Sequence, residues 1–318
     1  MPHVLVAGKL HPSGLALLEA AAGVTYHHIE EISAPSYLPH IATADAVILR
    51  TQPMTAATVA LASRLQIVSR HGVGHDAVDL VALNARRIPL CIVGDVNSIS
   101  VAEHAIMLIL ACAKQLIRAD DAVRIGPWVW RNRLESGEIS GRRLLIVGYG
   151  RIGQHLARMA AGFAMQIRAV DPLLAAKGWP AGQVAAVSLQ EGLAWADIVS
   201  LHVPKSGGAL LGAAELALMH HGAIVINTSR GGIVDEVALA ASLRSGHIAA
   251  AGLDVLEDEP PAPDHPLLAF DQVILTPHTA GLSRQAAERM AISSAQNVLD
   301  FFAGRLDPAL IVNRDHLK

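Results

Sequence analysis

Short apolar runs alternate with longer segments of helical periodicity through the first hundred residues. Residues 12–22, 55–63 and a stretch around Pro39 have the spacing of amphipathic helices. The apolar runs between them have the length and the β-branched content of strands. These runs predict strands at residues 3–7, 24–29, 45–50, 65–70 and 89–93. Strands that alternate with helices are typical of a parallel sheet covered by helices, so an α/β fold is expected.

The middle of the chain interrupts this alternation. Residues 101–124 predict one long helix with Glu103 in its first turn. The Gly-, Pro- and Trp-rich stretch at 126–141 then breaks the pattern. We interpret this stretch as a crossover between two domains. Its arm around Trp128 and Trp130 would either contact a second subunit or pack in a core.

A second alternating series begins at residue 144. Helical segments separate most of its strands, and residues 284–302 predict a final helix followed by a tail that returns to the first domain. Six strands with helices between them match the count of a dinucleotide-binding fold. The predicted strands are residues 144–148, 167–171, 197–203, 223–227, 248–255 and 272–276.

Composition narrows the class of protein. The net charge of −3 and the lack of a long basic run argue against a nucleic-acid partner. The most apolar run, at residues 105–113, is much shorter than a membrane span, and the N-terminus lacks the pattern of a signal peptide. The two cysteines, Cys91 and Cys112, have neither disulfide-framework nor zinc spacing. A cytoplasmic protein without a membrane partner or a bound metal is therefore expected.

A glycine-rich motif follows the first strand of the second series. Gly148, Gly150 and Gly153 form GxGxxG between a strand and a helix, where phosphates sit at the positive helix end. Asp171 ends the next strand, where a carboxylate accepts ribose hydroxyls and repels a 2′-phosphate. The combination predicts NAD rather than NADP.

Three stretches that end or follow later strands carry candidate chemistry. Arg230, in NTSRGG, comes just after a strand, where a guanidinium can grip a carboxylate with two hydrogen bonds. The stretch GLDVLEDEP contains several carboxylates, and His278 lies in TPHTAG. A histidine paired with a carboxylate is a better acid–base catalyst than one alone, because the partner fixes its tautomer.

Together these stretches resemble the D-isomer-specific 2-hydroxyacid dehydrogenases, the group that includes D-3-phosphoglycerate dehydrogenase. The resemblance covers nearly the whole chain and rests on an ordered series of matching motifs. The motifs are SRHGVGHDAVDL (69–80), NSISVAEHAIMLIL (97–110), GRRLLIVGYGRIG with AVDP, LHVPKS (201–206), INTSRGGIVDE (226–236), GLDVLEDEP and TPHTAG.

The resemblance implies a role for each matching residue. Arg230 would bind the substrate carboxylate and keto oxygen, Glu259 would pair with the catalytic base His278, and Asp254 would hydrogen-bond the nicotinamide carboxamide. The backbone of Gly72, Val73 and Gly74 would hold the substrate carboxylate, with Arg50 contacting substrate from the first domain. The implied cofactor-binding set is Gly148, Tyr149, Gly150, Arg151, Ile152, Gly153, Asp171, Pro204, Thr228, Asp254 and Gly281.

The resemblance also implies the architecture and the reaction. A Rossmann-type dinucleotide-binding domain at residues 99–285 would be inserted into a flavodoxin-like α/β substrate domain at 1–98 and 286–318. The chain would form a homodimer, joined largely through the nucleotide domain. It would interconvert a D-2-hydroxy acid and its 2-keto acid with NAD, without a metal. The candidate substrates are 3-phosphoglycerate, glycerate with hydroxypyruvate, and glyoxylate.

Related activities remain as alternatives. Formate dehydrogenases share the fold but pair the histidine with glutamine, and Glu259 argues against them. A phosphite dehydrogenase or an NAD-sensing corepressor of the C-terminal-binding-protein type would retain the same three residues. One departure from the family pattern is Lys205-Ser206, where Leu-Thr is common, and it places a positive charge near the cofactor cleft.

Overall fold

A computed structural model describes residues 1–179, 184–205 and 207–317. The chain forms two compact units, and the second is inserted into the first. Unit 1 comprises Met1–Asn97 and Leu282–Lys318, and unit 2 comprises Ser98–Gly281. The boundaries predicted from sequence differ from these units at Ser98 and at residues 282–285, which fall in the other unit.

Unit 1 is built on a five-stranded parallel sheet of order β2-β1-β3-β4-β5. This is the flavodoxin-like order. Its strands are β1 His3–Ala7, β2 Thr25–Ile29, β3 Ala46–Leu49, β4 Ile67–Arg70 and β5 Leu90–Cys91. Its helices are α1 Pro12–Ala20, α2 Ala34–Tyr37, α3 Ala56–Leu61, α4 Leu80–Ala85 and α12 Arg284–Phe302, with 3₁₀ turns at Leu38–Thr43, Pro308–Leu310 and Arg314–His316.

Alternation along β1 shows why this sheet is buried on both faces. Val4 and Val6 pack in one apolar cluster, and Leu5 and Ala7 pack in another on the opposite face. Successive strand side chains point to opposite faces, so a strand that is apolar at every position needs cover on both. The C-terminal tail returns to this unit as expected, because the side chain of Asn313 accepts a hydrogen bond from Leu90 N at 2.9 Å.

Unit 2 contains a seven-stranded parallel sheet of order β12-β11-β10-β9-β6-β7-β8. Counted from β6, this is the 3-2-1-4-5-6 order of a Rossmann fold with one further strand. Its strands are β6 Arg143–Val147, β7 Gln166–Val170, β8 Ala185–Ala186, β9 Ile198–Leu201, β10 Ala223–Asn227, β11 Ile248–Leu253 and β12 Val273–Leu275. Its helices are α5 Ser98–Lys114, α6 Leu116–Arg124, α7 Arg151–Ala161, α8 Pro172–Lys177, α9 Leu189–Trp195, α10 Ala213–Leu218 and α11 Glu236–Arg244, with 3₁₀ turns at Trp128–Arg133 and Pro266–Ala269.

Two sequence expectations for unit 2 were wrong in detail. The single helix at 101–124 is two helices, because Gln115 adopts a left-handed backbone with φ of 51°. The first of them begins at Ser98, so Glu103 lies beyond its first turn. The short edge strand β8 was missed, because two residues are too few to show a periodicity.

No single helix in the described part of the chain is long and apolar enough to cross a membrane. Taken together, α5 and α6 would be long and apolar enough for a span, by length and composition alone, but the chain bends by 59° between them.

Candidate active site

The predicted site residues of unit 2 come after the ends of the strands, just beyond one row of residues that pair across the sheet. Hydrogen-bonded register aligns the last residues of β6, β9, β10, β11 and β12 side by side. In open α/β sheets the ligand crevice lies beyond the carboxyl ends of the strands. The row, from β7 to β12, is Val170, Val147, Leu201, Asn227, Leu253 and Leu275.

The glycine turn after β6 has the close backbone approaches that its motif requires. Gly148 has φ of 95°, and a Cβ there would lie 2.5 Å from the carbonyl oxygen of His202. A Cβ at Gly153 would collide with the carbonyl oxygen of Gly148. Gly150 faces open space and precedes α7, whose N-terminus carries partial positive charge. The turn therefore fits a pyrophosphate group at the start of α7.

Asp171 lies at the end of β7, next to this turn. Its Oδ2 accepts a hydrogen bond from Tyr149 N at 3.0 Å, and its Oδ1 accepts one from Leu174 N at 2.9 Å. The second bond makes Asp171 the N-cap of α8. An ionised carboxylate has about four acceptor positions, so two ribose hydroxyls can still bind. The ring of Tyr149 is buried and stacks on Trp179 at 5.3 Å.

The other expected cofactor residues lie at the same edge of the sheet. Arg151 and Ile152 begin α7, and Pro204 is exposed after β9. Thr228 follows β10, and its Oγ1 is buried with no hydrogen-bond partner among the described residues. Gly281 is the last residue of unit 2. A buried hydroxyl without a partner is unfavourable, so Thr228 is consistent with a contact to a bound group.

The turn that carries Arg230 is held by the side chain of Asn227. Asn227 Nδ2 donates to the carbonyl of Arg230 at 2.8 Å, while its Oδ1 accepts from Ser229 N at 3.0 Å and Ser229 Oγ at 2.8 Å. A Cβ at Gly231 would collide with the carbonyl of Leu256. The absence of that Cβ lets the Arg230 turn pack directly on the segment that leads to Glu259.

His278 and Glu259 form the expected pair. His278 Nδ1 and Glu259 Oε2 are 2.7 Å apart, and both side chains are partly exposed. The backbone of His278 is left-handed, with φ of 52°, a conformation that is uncommon outside glycine and enriched at functional sites. With Nδ1 bonded to the carboxylate, Nε2 is the ring nitrogen available for proton transfer.

Asp254 holds the loop that carries His278. Its side chain is only 1% exposed and accepts bonds from Thr276 Oγ1 at 2.5 Å, Thr279 N at 2.8 Å and Ala280 N at 2.8 Å. His104 Nε2 lies 2.9 Å from Thr276 Oγ1 and 3.6 Å from Asp254 Oδ1. The backbone N–H of His278 also donates to the carbonyl of Asp254 at 2.9 Å. Asp254 therefore fixes the loop that carries His278, a role that the sequence alone did not indicate.

Two further contacts were not expected from sequence. Lys205 Nζ lies 3.7 Å from Glu257 Oε1, so its charge has a carboxylate partner, whereas the adjacent Ser206 lies outside the described residues. His265 Nε2 and Glu236 Oε2 form a second histidine–carboxylate pair at 2.8 Å. Glu236 closes the motif INTSRGGIVDE, but nothing in the sequence links it to His265, which lies 29 residues further along the chain.

The remaining candidate residues lie in unit 1. Arg50 follows β3, and the loop Gly72, Val73 and Gly74 follows β4. Between β4 and this loop, His71 is only 6% exposed, and its Nε2 has no hydrogen-bond partner among the described residues. Burial, followed by the charges of Arg50 and Arg70, lowers the pKa of His71 to about 4. The positive charges of Arg50 and Arg70 therefore both disfavour protonation of His71.

Buried histidines should make the protein sensitive to mild acid. Burial also lowers the pKa of His202 in unit 2 to about 4 from its ordinary value of 6.5. Below pH 6.5 the unfolded chain takes up protons that the folded chain binds only near pH 4, so acid favours unfolding. Between pH 6.5 and 5 we expect each of the two residues to reduce the unfolding free energy by roughly 1 to 2 kcal/mol, measured by urea titration. His71→Gln should remove about half of this acid sensitivity; a variant with the full sensitivity would contradict the assignment.

No group of three or more His, Cys, Asp or Glu side chains suited to a metal ion occurs within residues 1–179, 184–205 and 207–317.

Comparison with known proteins identifies the family. Residues 106–280 match the family model of the D-isomer specific 2-hydroxyacid dehydrogenase NAD-binding domain. The chain belongs to the D-isomer specific 2-hydroxyacid dehydrogenase family, which confirms the resemblance found in its motifs.

The most similar relatives include two kinds of enzyme. The chain is 37% identical to a D-3-phosphoglycerate dehydrogenase of Mycobacterium leprae over 97% of its own length and 58% of that protein. It spans about half the length of several such phosphoglycerate dehydrogenases. It is 36% identical to a glyoxylate reductase of Korarchaeum cryptofilum, covering 100% of this chain and 97% of the relative.

Solved structures confirm the fold. The TT0316 protein of Thermus thermophilus superposes with a TM-score of 0.89 at 32% identity, covering 98% of this chain and 99% of that one. An NADPH-dependent glyoxylate/hydroxypyruvate reductase of Sinorhizobium meliloti has a TM-score of 0.86 at 29% identity, covering 99% and 98%.

Proposed function

We propose that the protein is an NAD-dependent oxidoreductase that interconverts a D-2-hydroxy acid and its 2-keto acid. The observation that carries the proposal is the 2.7 Å His278–Glu259 pair at the sheet edge that also carries the glycine turn and Arg230. An acid–base pair, an anion-binding guanidinium and a nucleotide turn at one edge provide each component that reversible hydride transfer requires. The relatives named as dehydrogenase and reductase support this activity.

His278, Arg230 and Glu259 each have a separate role in the proposed reaction. A bound nicotinamide supplies the hydride for reduction or accepts it for oxidation. During reduction, His278 Nε2 gives a proton to the carbonyl oxygen as C2 becomes tetrahedral. Arg230 binds the substrate carboxylate and stabilises the charge that develops on that oxygen. Glu259, bonded to Nδ1, keeps the ring oriented and fixes which nitrogen faces the substrate.

The substrate is proposed to be a small 2-hydroxy or 2-keto acid, with or without a polar or anionic group beyond C2. Arg50 and Arg70 both act electrostatically on His71 in unit 1, where the resemblance also places the carboxylate-binding loop. A guanidinium group suits a phosphate or a carboxylate, and Arg70 Nη1 also donates to the carbonyls of Leu49 at 3.2 Å and His71 at 3.3 Å. Substrates of the 3-phosphoglycerate, glycerate/hydroxypyruvate and glyoxylate class are therefore the ones to test, and the family relatives carry names from two of these groups.

A panel assay tests the proposal. NADH consumption at 340 nm would be followed with hydroxypyruvate, glyoxylate, pyruvate and 3-phosphohydroxypyruvate. Turnover of at least one is expected. If all four remain unreacted while NADH binds, the proposal fails; phosphite oxidation or an NAD-sensing binding role would then take its place.

Asp171 should determine the choice between NAD and NADP. Asp171→Asn keeps an N-cap for α8 but removes the negative charge that would face a 2′-phosphate. We expect the NADH-to-NADPH preference in kcat/KM to fall at least about tenfold, because like charges in contact cost several kcal/mol. Asp307→Asn, at the N-cap of a 3₁₀ turn in unit 1, is the matched control. An unchanged preference in Asp171→Asn would remove Asp171 from the cofactor site.

The chain is proposed to form a homodimer through the segment around α6. Large apolar side chains there are 48% to 87% exposed, which is unusual for a free surface. Light scattering should give the mass of a dimer for the wild type and of a monomer for Trp128→Glu at low micromolar concentration. A monomeric wild type would contradict the proposal. The exposed residues are Leu116, Ile117, Val123, Ile125, Trp128, Val129 and Leu134.

We also propose a cytoplasmic location, which the two free, buried cysteines Cys91 and Cys112 support.

A further inference from the structure

Glu259 lies in an exposed loop that has little apolar packing of its own. Residues 257–260 and 262–264 are exposed, and the side chain of Glu259 is 38% exposed. Within the loop, Glu259 Oε1 accepts a bond from Leu256 N at 3.2 Å. A catalytic carboxylate must nevertheless be held within a fraction of an ångström of its partner. The position of Glu259 therefore depends on how the ends of the loop are fixed.

One side chain, Glu236, binds both ends of this loop. Its Oε1 accepts a hydrogen bond from Glu257 N at 2.7 Å, and its Oε2 accepts one from His265 Nε2 at 2.8 Å. The side chains of Glu236 and His265 are only 11% and 16% exposed, in contrast to the loop between the two contacts. We call this arrangement, Glu236 with Glu257 N and His265, the Glu236 clamp.

The second nitrogen of His265 fixes the direction of the clamp hydrogen bond. His265 Nδ1 accepts from Leu267 N and caps the 3₁₀ turn Pro266–Ala269. A neutral imidazole that accepts at Nδ1 carries its proton on Nε2, so Nε2 donates to Glu236. Both carboxylate oxygens of Glu236 are thus used as acceptors.

Capping of α11 does not account for Glu236. The preceding residue, Asp235, caps this helix by accepting bonds from Val237 N at 3.0 Å and Ala238 N at 2.9 Å. Glu236 is the first residue of the helix, and its two carboxylate oxygens accept from the two ends of the 257–265 segment. Asp235 therefore caps α11, whereas the adjacent Glu236 binds the loop.

We propose that Glu236 and His265 are positioning residues that hold Glu259 against His278. The proposal rests on the oxidoreductase function proposed above. The clamp fixes both ends of the loop, and Glu259 in turn orients the catalytic imidazole. Neither residue contacts the reacting atoms in this scheme, so their effect on the rate passes through Glu259.

Two variants open the clamp in different ways. Glu236→Gln has one acceptor oxygen and cannot accept from both Glu257 N and His265. His265→Asn keeps an acceptor for Leu267 N but is too short to reach Glu236. We expect each variant to lower kcat about tenfold, because small misplacements of catalytic groups are costly, with KM and NADH affinity changed less than about twofold. In a Glu259→Gln background, Glu236→Gln should lower kcat by less than about twofold further, since residues that act through one another are not additive.

Asp235→Ala is the matched control, because it removes two hydrogen bonds from α11 and none from the loop. It should lower the melting temperature and leave kcat unchanged. A wild-type kcat in Glu236→Gln, or the same tenfold loss in the Glu259→Gln background, would overturn the proposal.

Hydrogen–deuterium exchange tests the Glu236 clamp independently of the proposed reaction. Peptides covering residues 257–265 should exchange faster in Glu236→Gln and His265→Asn than in the wild type or Asp235→Ala. Unchanged exchange would show that the clamp does not hold the loop. This result is obtained even if the wild type reduces no 2-keto acid, in which case the proposed reaction fails on its own.

Discussion

His278→Asn is expected to lower kcat for 2-keto-acid reduction by about 10²- to 10⁴-fold, the usual value of general acid catalysis. Asparagine can keep a hydrogen bond to Glu259 but cannot donate a proton in the transition state. NADH affinity should remain close to that of the wild type, because the glycine turn follows β6 and Asp171 follows β7, whereas His278 follows β12.

Steady-state kinetics with a reactive keto acid and NADH titration by fluorescence measure these two quantities. His220→Asn is the control, since His220 is an exposed histidine of the same unit, after α10. If His278→Asn turns over at near the wild-type rate, His278 is not the proton donor.

Arg230→Lys should reduce kcat/KM about 100-fold, the second largest effect expected. Lysine keeps the positive charge but cannot form two parallel hydrogen bonds to a carboxylate, and a single transition-state donor is typically worth about 10²- to 10³-fold. Arg158→Lys, at an exposed position near the end of α7, is the control and should change kcat/KM little. A wild-type kcat/KM in Arg230→Lys would mean that another group binds the substrate carboxylate.

The fold was largely predictable because the central strands of both sheets are buried on two faces. These strands are continuous apolar runs such as Leu144–Val147, which stand out from amphipathic helices by length and composition, whereas the edge strands β2 and β8 are partly or fully exposed. Each site motif comes after a strand in the sequence. Because parallel strands place their carboxyl ends at one edge of the sheet, the sequence also predicted that the motifs lie at the same edge. The family and the α/β fold inferred from the sequence were both confirmed.

The parts that the sequence did not predict depend on contacts between distant residues. Gln115 ends α5 through its own left-handed backbone, although nothing in its residue type signals a helix break. Asp254 could be assigned a cofactor contact by resemblance, but its bonds to the His278 loop depend on the neighbouring positions of β11 and β12. The same holds for Glu236 and His265, which meet only because the segments after β10 and β11 fold together.

Hydride transfer to C2 is the central claim, and isotope transfer tests it most directly. The protein would reduce hydroxypyruvate, or another keto acid of the panel that reacts and gives a chiral product, with NADH deuterated at the transferred C4 position. We predict a D-2-hydroxy acid with one deuterium at C2, identified by chiral chromatography and mass spectrometry. A product of L configuration, or one without deuterium at C2, would contradict this claim.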